Sequence, residues 1–375
     1  MNSSKLFAST PPFVQMLVKQ RILRAIFLIL IVLVVVWKLG TALLLDPTLF
    51  LQQVINGLQL GFVYALIALG YTMVYGIVRL INFAHGDVFM VGAFISYYSI
   101  SRIQLHTWPS LLFPGINPLI STGIGSITVV LLAMLVCALM AIIIERVAYK
   151  PLRNAPRISA LITAIGVSFF LEYFGALNFV FSSNFITYKR PFDVTTWVIN
   201  LKGIQVLEKG SQIPPQSVIF SNISFLIVIV SILLVVLLQY FVTRTKVGKA
   251  MRACAYDKQT ARLMGINVDA TISVTFAIGA ALAGAAGMLY AIAYPQVYVF
   301  MGIIPGLKAF VAAVLGGIGS IPGALVGALL MGQAEVLSAA YISTPMRDAI
   351  AFTILIIVLL VRPTGIFGEA SREKA

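Results

Sequence analysis

Three polar side chains stand close together inside an otherwise apolar stretch of this sequence. Asn82, His85 and Asp87 fall within INFAHGDVFMVGAFISYY, residues 81–98. A polar group at membrane depth is costly unless it pairs, meets water or lies in irregular backbone covered by protein. The first interpretation is structural hydrogen bonding around a broken or re-entrant segment, interrupted at Gly86. The alternatives, kept open, are that these side chains line a translocation path or that His85 and Asp87 relay a proton.

The same residue types argue against most other chemistry. His85 and Asp87 lack a third candidate ligand, so no metal site is predicted. Cys137 lies in an apolar run and Cys254 in a basic loop, a spacing unlike zinc sites or disulfide frameworks, so we expect two free thiols. The chain has no GxxxxGK[ST], nucleophile elbow, HExxH or CxxC motif. We therefore predict no catalytic residue, no bound cofactor and no ATPase site of its own.

Two acidic residues, Glu172 and Glu335, fall inside apolar runs. An acid within a membrane span is a functional hypothesis by default. Glu335 therefore joins the three polar residues above as a candidate for the translocation path. Glu172 lies past the middle of its run, so it either acts in function or reaches the outer interface.

The elements that must position these residues are membrane helices. Hydrophobic residues make up 60% of the 375 residues and charged residues only 10%, whereas about a quarter of a soluble domain is charged. The net charge is +14, but the basic residues lie in short intervals between apolar runs. We therefore expect contact with anionic membrane lipid and no nucleic-acid partner.

The apolar runs predict an all-α polytopic membrane protein with about ten crossings. Residues 1–48 are expected to form a cytoplasmic segment and an extra span, since no small-x-small site for signal-peptide cleavage follows. Residues 49–368 form the main domain, with a small hairpin in an outer loop at 182–219, and residues 369–375 form a cytoplasmic tail. Most of the 26 lysines and arginines fall in intervals assigned inside, so both termini are predicted to be cytosolic.

Two segments are short or interrupted. One is 81–98, and the other is an apolar run after Gly306. The residues that interrupt this second run are Gly316, Gly317, Gly319 and Pro322. A small-residue span, an interrupted segment and another span occur from Leu49 to Tyr98 and again from Ala270 to Ala340. Because the two copies enter from opposite sides in this topology, the pattern predicts an inverted repeat, with the small residues at helix contacts.

A long polar interval, 243–269, lies between two of the runs and reads TRTKVGKAMRACAYDKQTARLMGINVD. One helix face is formed by residues spaced i, i+3, i+4 and i+7, which are Val247, Ala250, Met251 and Cys254. Gly265 is a helix stop. We expect one short amphipathic helix that is either a solvated cytoplasmic loop or a handle for a cytosolic partner.

Several long strings resemble the permease subunit of bacterial branched-chain amino acid ABC importers. They are INFAHGDVFMVGAF at 81–94, RACAYDKQTARLMGINVD at 252–269, GLKAFVAAVLGGIGSIPGALVGALLMGQAE at 306–335 and VLLVRPTGIFG at 358–368. The resemblance covers about 49–368. It implies a multi-pass protein of the bacterial inner membrane that forms an import channel with a second, related permease. Two cytosolic ATPase subunits would use ATP and Mg, and a periplasmic substrate-binding protein would deliver the cargo.

The resemblance also implies a role for the polar interval. It corresponds to the coupling segment that sits in a groove of the ATPase, with the helix from Val247 to Gly265 acting as a rigid lever. The residues assigned to coupling are Met251, Arg252, Ala253, Asp257, Ala261 and Gly265. The extra N-terminal span and the enlarged 182–219 loop depart from the family's usual form, which leaves urea or short-chain amides open as cargo. An ion-coupled secondary transporter, with Glu335 or Glu172 as its titrating acid, is the alternative from another class.

Overall fold

The computed structural model describes residues 33–34, 36–153, 155–200, 203–207, 212–214, 216–362 and 364–368. The predicted cytoplasmic segment at 1–24, much of the extra span at 25–45 and the tail at 369–375 lie outside these residues. In chain order the helices are α1 Val36–Leu45, α2 Pro47–Val78, α3 His85–Ser101, α4 Trp108–Leu112, α5 Pro118–Ile144, α6 Arg157–Gly175, α7 Asn222–Arg244, α8 Lys246–Tyr256, α9 Lys258–Leu263, α10 Val268–Ala293, α11 Ile303–Gly316, α12 Ile321–Tyr341 and α13 Arg347–Val361.

The described residues contain six helices that are long and apolar enough to cross a membrane. A seventh is added if α3 and the Leu105–Leu112 helix, bent by 60°, count as one span. The predicted count of about ten crossings is therefore not confirmed, because a span needs about 17 residues or more. Helix α11 has 14 residues and α13 has 15.

Helices α2 and α10 form the centre of the bundle. Helix α2 packs against α10, α11 and α12, whereas α10 packs against α2, α3 and α5. The two sets of contacts are equivalent: α2 corresponds to α10, α3 to α11 and α5 to α12. This equivalence is the pattern expected of an inverted repeat. Helices α5, α6 and α7 turn apolar side chains outward, as expected of helices that face lipid.

Glycines allow the central helices to approach closely. A Cβ added to Gly92 of α3 would lie 2.5 Å from the Gly284 Cα of α10. A Cβ on Gly61 of α2 would lie 2.9 Å from the Leu329 Cα of α12. The small-residue stripes predicted from the sequence therefore do lie at helix contacts, as in other membrane bundles.

The first predicted break is placed wrongly. Gly86 does not interrupt a helix but lies in the first turn of α3, where a Cβ would come within 2.6 Å of the Gly302 carbonyl oxygen. The irregular backbone precedes it, after Arg79 ends α2 in a left-handed conformation with φ 61°. Gly86 thus allows the first turn of α3 to lie close to Gly302, which precedes α11. The second predicted break is confirmed between α11 and α12, where Gly317 and Gly319 have φ of 107° and 104°.

The predicted hairpin in the 182–219 loop is present as part of a three-stranded antiparallel sheet. Strands β2 (Thr196–Asn200) and β3 (Gly203–Leu207) pair with Thr196 opposite Leu207, and β4 (Val218–Ser221) pairs on the other edge of β2. Two short strands, β1 (Ile186–Thr187) and β5 (Gln296–Val297), join the loop to the end of α10.

Candidate functional site

The polar residues at the start of α3 are buried and mostly paired. Asn82 accepts a hydrogen bond of 2.7 Å from the Tyr149 hydroxyl, and the Ser168 hydroxyl donates to Asp87. Glu172 of α6 is only 3% exposed and its carboxyl hydrogen-bonds with Asp87. The Glu172 side chain therefore turns inward to α3, and both alternatives for its role stay predictions.

His85 is the exception within this group. Its Nε2 atom is buried and has no hydrogen-bond partner among the described residues, while its ring packs edge-on against Tyr71 at a centroid distance of 4.8 Å. No group of three His, Cys, Asp or Glu side chains in the described residues is placed to hold a metal ion. Asn82, His85 and Asp87 line neither of the two cavities described next, so their role in a path stays a prediction.

Glu335 does line a cavity, here called the Lys308 cavity. It measures about 820 Å³ and lies between the first half of α2, the end of α10, the start of α11, the end of α12 and the start of α13. Lys308 Nζ lies 2.6 Å from Glu335 Oε1 and 2.7 Å from Asp348 Oδ1. The Tyr64 hydroxyl donates to Glu335 Oε2 at 2.9 Å. Arg347 adds a second cation 3.8 Å from Glu335, so two cations balance two carboxylates.

The remaining wall of the Lys308 cavity combines hydroxyl, amide and aliphatic groups. The polar members are Gln53, Asn56, Gln59, Tyr290, Tyr294, Gln296 and Tyr298, and the apolar members include Leu60, Met301, Ile304, Pro305 and Val336. Such a wall provides hydrogen bonds and apolar contact in one space. A small molecule with a charged end and an aliphatic end fits this chemistry.

A second cavity, here called the Arg153 cavity, lies at the opposite ends of α2 and α10. It measures about 970 Å³ and includes Tyr75 of α2 and Ile272 of α10. Arg153 forms ion pairs with the buried Glu145 and with Asp269. Its charged residues are Arg79, Glu145, Lys150, Arg153, Lys258, Arg262 and Asp269, so five cations face two carboxylates.

The polar interval 243–269 forms two helices where one was predicted. Helix α8 ends at Tyr256, and Asp257 adopts an extended conformation and caps α9 through its side chain. Hydrogen bonds from the Thr260 hydroxyl and the Gln259 N–H hold the pKa of Asp257 below its usual value. The predicted stop at Gly265 is present, with φ 82° after Met264. The single helix predicted from Val247 to Gly265 is therefore wrong, because the cap at Asp257 divides it, and the lever movement stays a prediction.

The predicted coupling residues differ in accessibility. Met251 and Ala261 are buried against the bundle, and Arg252 is exposed and donates to the Val242 carbonyl at 2.6 Å. Ala253 is half-buried, and no atom lies within 4 Å of a Cβ placed on Gly265.

Sequence reasoning missed the apolar side chains that this loop exposes. Leu263 is 87% exposed and Met264 is 78% exposed. They lie off the face formed by Val247, Met251 and Cys254, so helical periodicity gave no reason to select them. Sequence reasoning also missed the ion pairs of Lys308 and Glu145, although a lysine within an apolar run was an available signal.

Comparisons with known proteins agree with this architecture. The family model described as branched-chain amino acid transport system, permease component, matches residues 53–359. The high-affinity branched-chain amino acid transport system permease protein LivH of Salmonella typhimurium is 43% identical over 329 residues, 87% of this chain and 97% of its own. LivH of Escherichia coli K12 is also 43% identical, with the same coverage. BraD of Pseudomonas aeruginosa, which carries the same description, is 40% identical over 87% of this chain and 98% of its own.

No solved structure matches the chain. The family model covers the central bundle, both cavities and the 243–269 loop, and the relatives extend over nearly their whole length. The resemblance seen in the sequence motifs is thus confirmed. This chain belongs to the permease-component family of branched-chain amino acid transport systems.

Proposed function

We propose that this permease forms one half of an ATP-driven import path for branched-chain amino acids. A second, related permease forms the other half, two cytosolic ATPase subunits use ATP and Mg, and a periplasmic binding protein delivers the cargo. Residues 49–368 act as the permease domain, and residues 243–269 receive the movement of the ATPases. The family membership and the names of the relatives support this assignment.

The observation that carries the proposal is the position of the two cavities. The Lys308 cavity includes Tyr64 of α2 and Tyr290 of α10, and the Arg153 cavity includes Tyr75 and Phe276 of the same helices. The segments between them are closed by glycine contacts, such as the one between Gly70 and Gly279. Alternating access requires two such vestibules separated by packing that a small helix movement opens.

The chemistry of the Lys308 cavity suits the cargo. An amino acid with an aliphatic side chain carries one positive and one negative charge, and the cavity provides two of each. The α-ammonium would meet Glu335 or Asp348, and the α-carboxylate would meet Lys308 or Arg347. A charge-neutral site of this kind binds a zwitterion without a net desolvated charge. Nothing observed favours urea, short-chain amides or an ion-coupled transporter.

The distribution of charge supports the orientation in the membrane that we propose for this protein. We assign the Arg153 cavity, with its five cations, and the basic helices α8 and α9 to the cytosolic side. The positive-inside rule supports this assignment. The Lys308 cavity and the 182–219 sheet then face the periplasm, where the binding protein docks. Both termini are assigned to the cytosol.

Coupling to the ATPases is assigned to the exposed tip of the loop. Leu263 and Met264 project from the end of α9, and the buried side of α8 rests on the bundle through Met251 and Cys254. A pull on the tip is thus transmitted through α8 to its contacts with α2, α7 and α10. Two helices joined at Asp257 transmit it, rather than one rigid rod.

The experiment is ATP-driven uptake of radiolabelled leucine into proteoliposomes that contain the full complex and its binding protein. We expect uptake that requires ATP and both ATPases. The double variant Lys308→Met/Glu335→Gln removes both buried charges together and is expected to lower leucine uptake while the complex still assembles. The matched control is Arg146→Met, which removes an exposed cation that lines neither cavity. Uptake driven by an ion gradient without ATP, or equal uptake of urea, would contradict the proposal.

A further inference from the structure

The Arg153 cavity carries more positive charge than its own carboxylates balance. Arg153 pairs with Glu145 and Asp269, and Lys150 Nζ lies 3.0 Å from Asp269 Oδ2. The cavity has three further cations, Arg79, Lys258 and Arg262. None of the carboxylates in the part of the chain that the structure describes lies within ion-pair distance of these three.

The three unpaired cations come from two different elements. Arg79 ends α2, whereas Lys258 and Arg262 belong to α9 of the cytosolic loop. Burial lowers the pKa of Lys258, and the positive charges of Arg153 and Arg79 lower it further. Arg79 and Arg262 are exposed and Lys258 is half-buried, so the cavity presents an excess of positive charge that a bound anion would offset.

The wall next to these cations is apolar. Leu80 and Ile81 follow Arg79, Ile158 and Leu161 come from the start of α6, and Phe276 comes from α10. A free inorganic anion would make no apolar contact with this surface, whereas a lipid provides a charged headgroup and acyl chains together. Basic pockets between membrane helices on the cytoplasmic side are known to hold anionic headgroups. The charge-neutral Lys308 cavity has no such excess.

We propose that the Arg153 cavity binds the phosphate of an anionic phospholipid, held by Arg79, Lys258 and Arg262, with an acyl chain along the Leu80, Leu161 and Phe276 wall. The bound headgroup joins the end of α2 to α9. The lipid thus ties the cytosolic loop to the bundle. Because the same cavity is the vestibule of the proposed path on that side, the lipid occupies it only while the path holds no cargo there.

The test counts bound lipid on the full chain together with the subunits that copurify with it. The complex is reconstituted in phosphatidylcholine containing a small fraction of phosphatidylglycerol, and native mass spectrometry records which lipid stays bound. We expect the wild type to retain phosphatidylglycerol in preference to phosphatidylcholine. Each of Arg79→Gln, Lys258→Gln and Arg262→Gln is expected to lower that preference about fivefold, and the triple variant to abolish it.

The matched control is Arg244→Gln/Lys246→Gln/Lys249→Gln, which removes the same amount of charge from residues of the 243–269 loop that do not line the cavity. It is expected to bind phosphatidylglycerol like the wild type, and thermal melting checks that all variants are folded. Should the triple variant fail to fold, the single variants decide. Equal loss in the control variant, or unchanged binding in the cavity variants, would overturn the proposal. A second pair of results would also overturn it. These are binding of inorganic phosphate in pure phosphatidylcholine and no retention of phosphatidylglycerol in the mixed membrane.

Discussion

Lys308 of α11 and Glu335 of α12 form a buried ion pair, with Nζ 2.6 Å from Oε1 across 27 residues of chain. The Lys308 side chain is 2% exposed and that of Glu335 is 6% exposed. Tyr64 of α2 donates to the same carboxylate. The pair therefore connects the two helices that flank the glycine break to the centre of the bundle. It also places opposite charges on the wall of the Lys308 cavity.

Removing one partner of this pair is expected to destabilise the folded protein far more than removing both. Lys308→Met leaves the buried Glu335 with only the half-exposed Arg347 at 3.8 Å as a counter-ion, and losing the buried partner costs about 3–5 kcal/mol. We expect a large loss of folded protein and a lower melting temperature. Fluorescence-detected size-exclusion chromatography of the purified protein measures both.

The double variant Lys308→Met/Glu335→Gln should recover most of that stability, since no unpaired charge is left inside. Lys150→Met is the comparison at an exposed pair with Asp269, which is worth about 0–1 kcal/mol. If the single and double variants of the buried pair melt alike, leaving Glu335 without Lys308 carries no penalty and the prediction is wrong.

Glycine packing between α3 and α10 gives a second prediction. Gly92→Ala would place a Cβ 2.5 Å from the Gly284 Cα, a backbone contact that only a helix displacement relieves. We expect destabilisation of about 1–3 kcal/mol, measured as a lower melting temperature. Gly123→Ala in α5 has no neighbour within 4 Å of the added Cβ and should leave the melting temperature unchanged or higher. Equal effects at the two sites would show that the α3 and α10 backbones are farther apart.

The exposed tip of the 243–269 loop gives a third prediction. The variant Leu263→Glu/Met264→Glu places two charges on a surface assigned to an ATPase groove. Apolar hot-spot side chains contribute about 2 kcal/mol or more to an interface, so we expect at least about a tenfold loss of ATP-driven uptake. Membrane insertion and folding should be unaffected, because both side chains lie outside the core.

The control for the loop variant is Ile204→Glu, which charges another exposed aliphatic side chain, 68% exposed, on β3. It should keep the ATPase subunits bound, as judged by copurification. Full uptake and normal copurification with Leu263→Glu/Met264→Glu would exclude the tip as the ATPase contact.

Cysteine accessibility tests the orientation. Cys137 and Cys254 are both buried, and burial raises the pKa of the Cys254 thiol, so the native protein should react slowly with maleimides. In spheroplasts, an impermeant maleimide should label Ile204→Cys directly and Leu263→Cys only after permeabilisation. Labelling of Leu263→Cys in intact spheroplasts would reverse the proposed topology.

The sequence by itself determined that this chain crosses a membrane repeatedly, where small residues bring helices together and where glycines end α11. These features follow from local composition, because apolar length, side-chain size and backbone freedom act within one segment. The long strings at 81–94, 252–269, 306–335 and 358–368 were also sufficient to indicate the permease family.

Only the tertiary structure decided what the polar residues do. Tyr64 and Glu335 are 271 residues apart, so no local pattern joins them. Gly86 has the composition of a helix break, yet the close approach of Gly302 makes it a helix contact. Asp257 divides the loop because its cap opens a new helix, a choice that periodicity alone does not reveal. Propensity acts on neighbours in sequence, whereas the pairing of buried charges is settled by which helices meet.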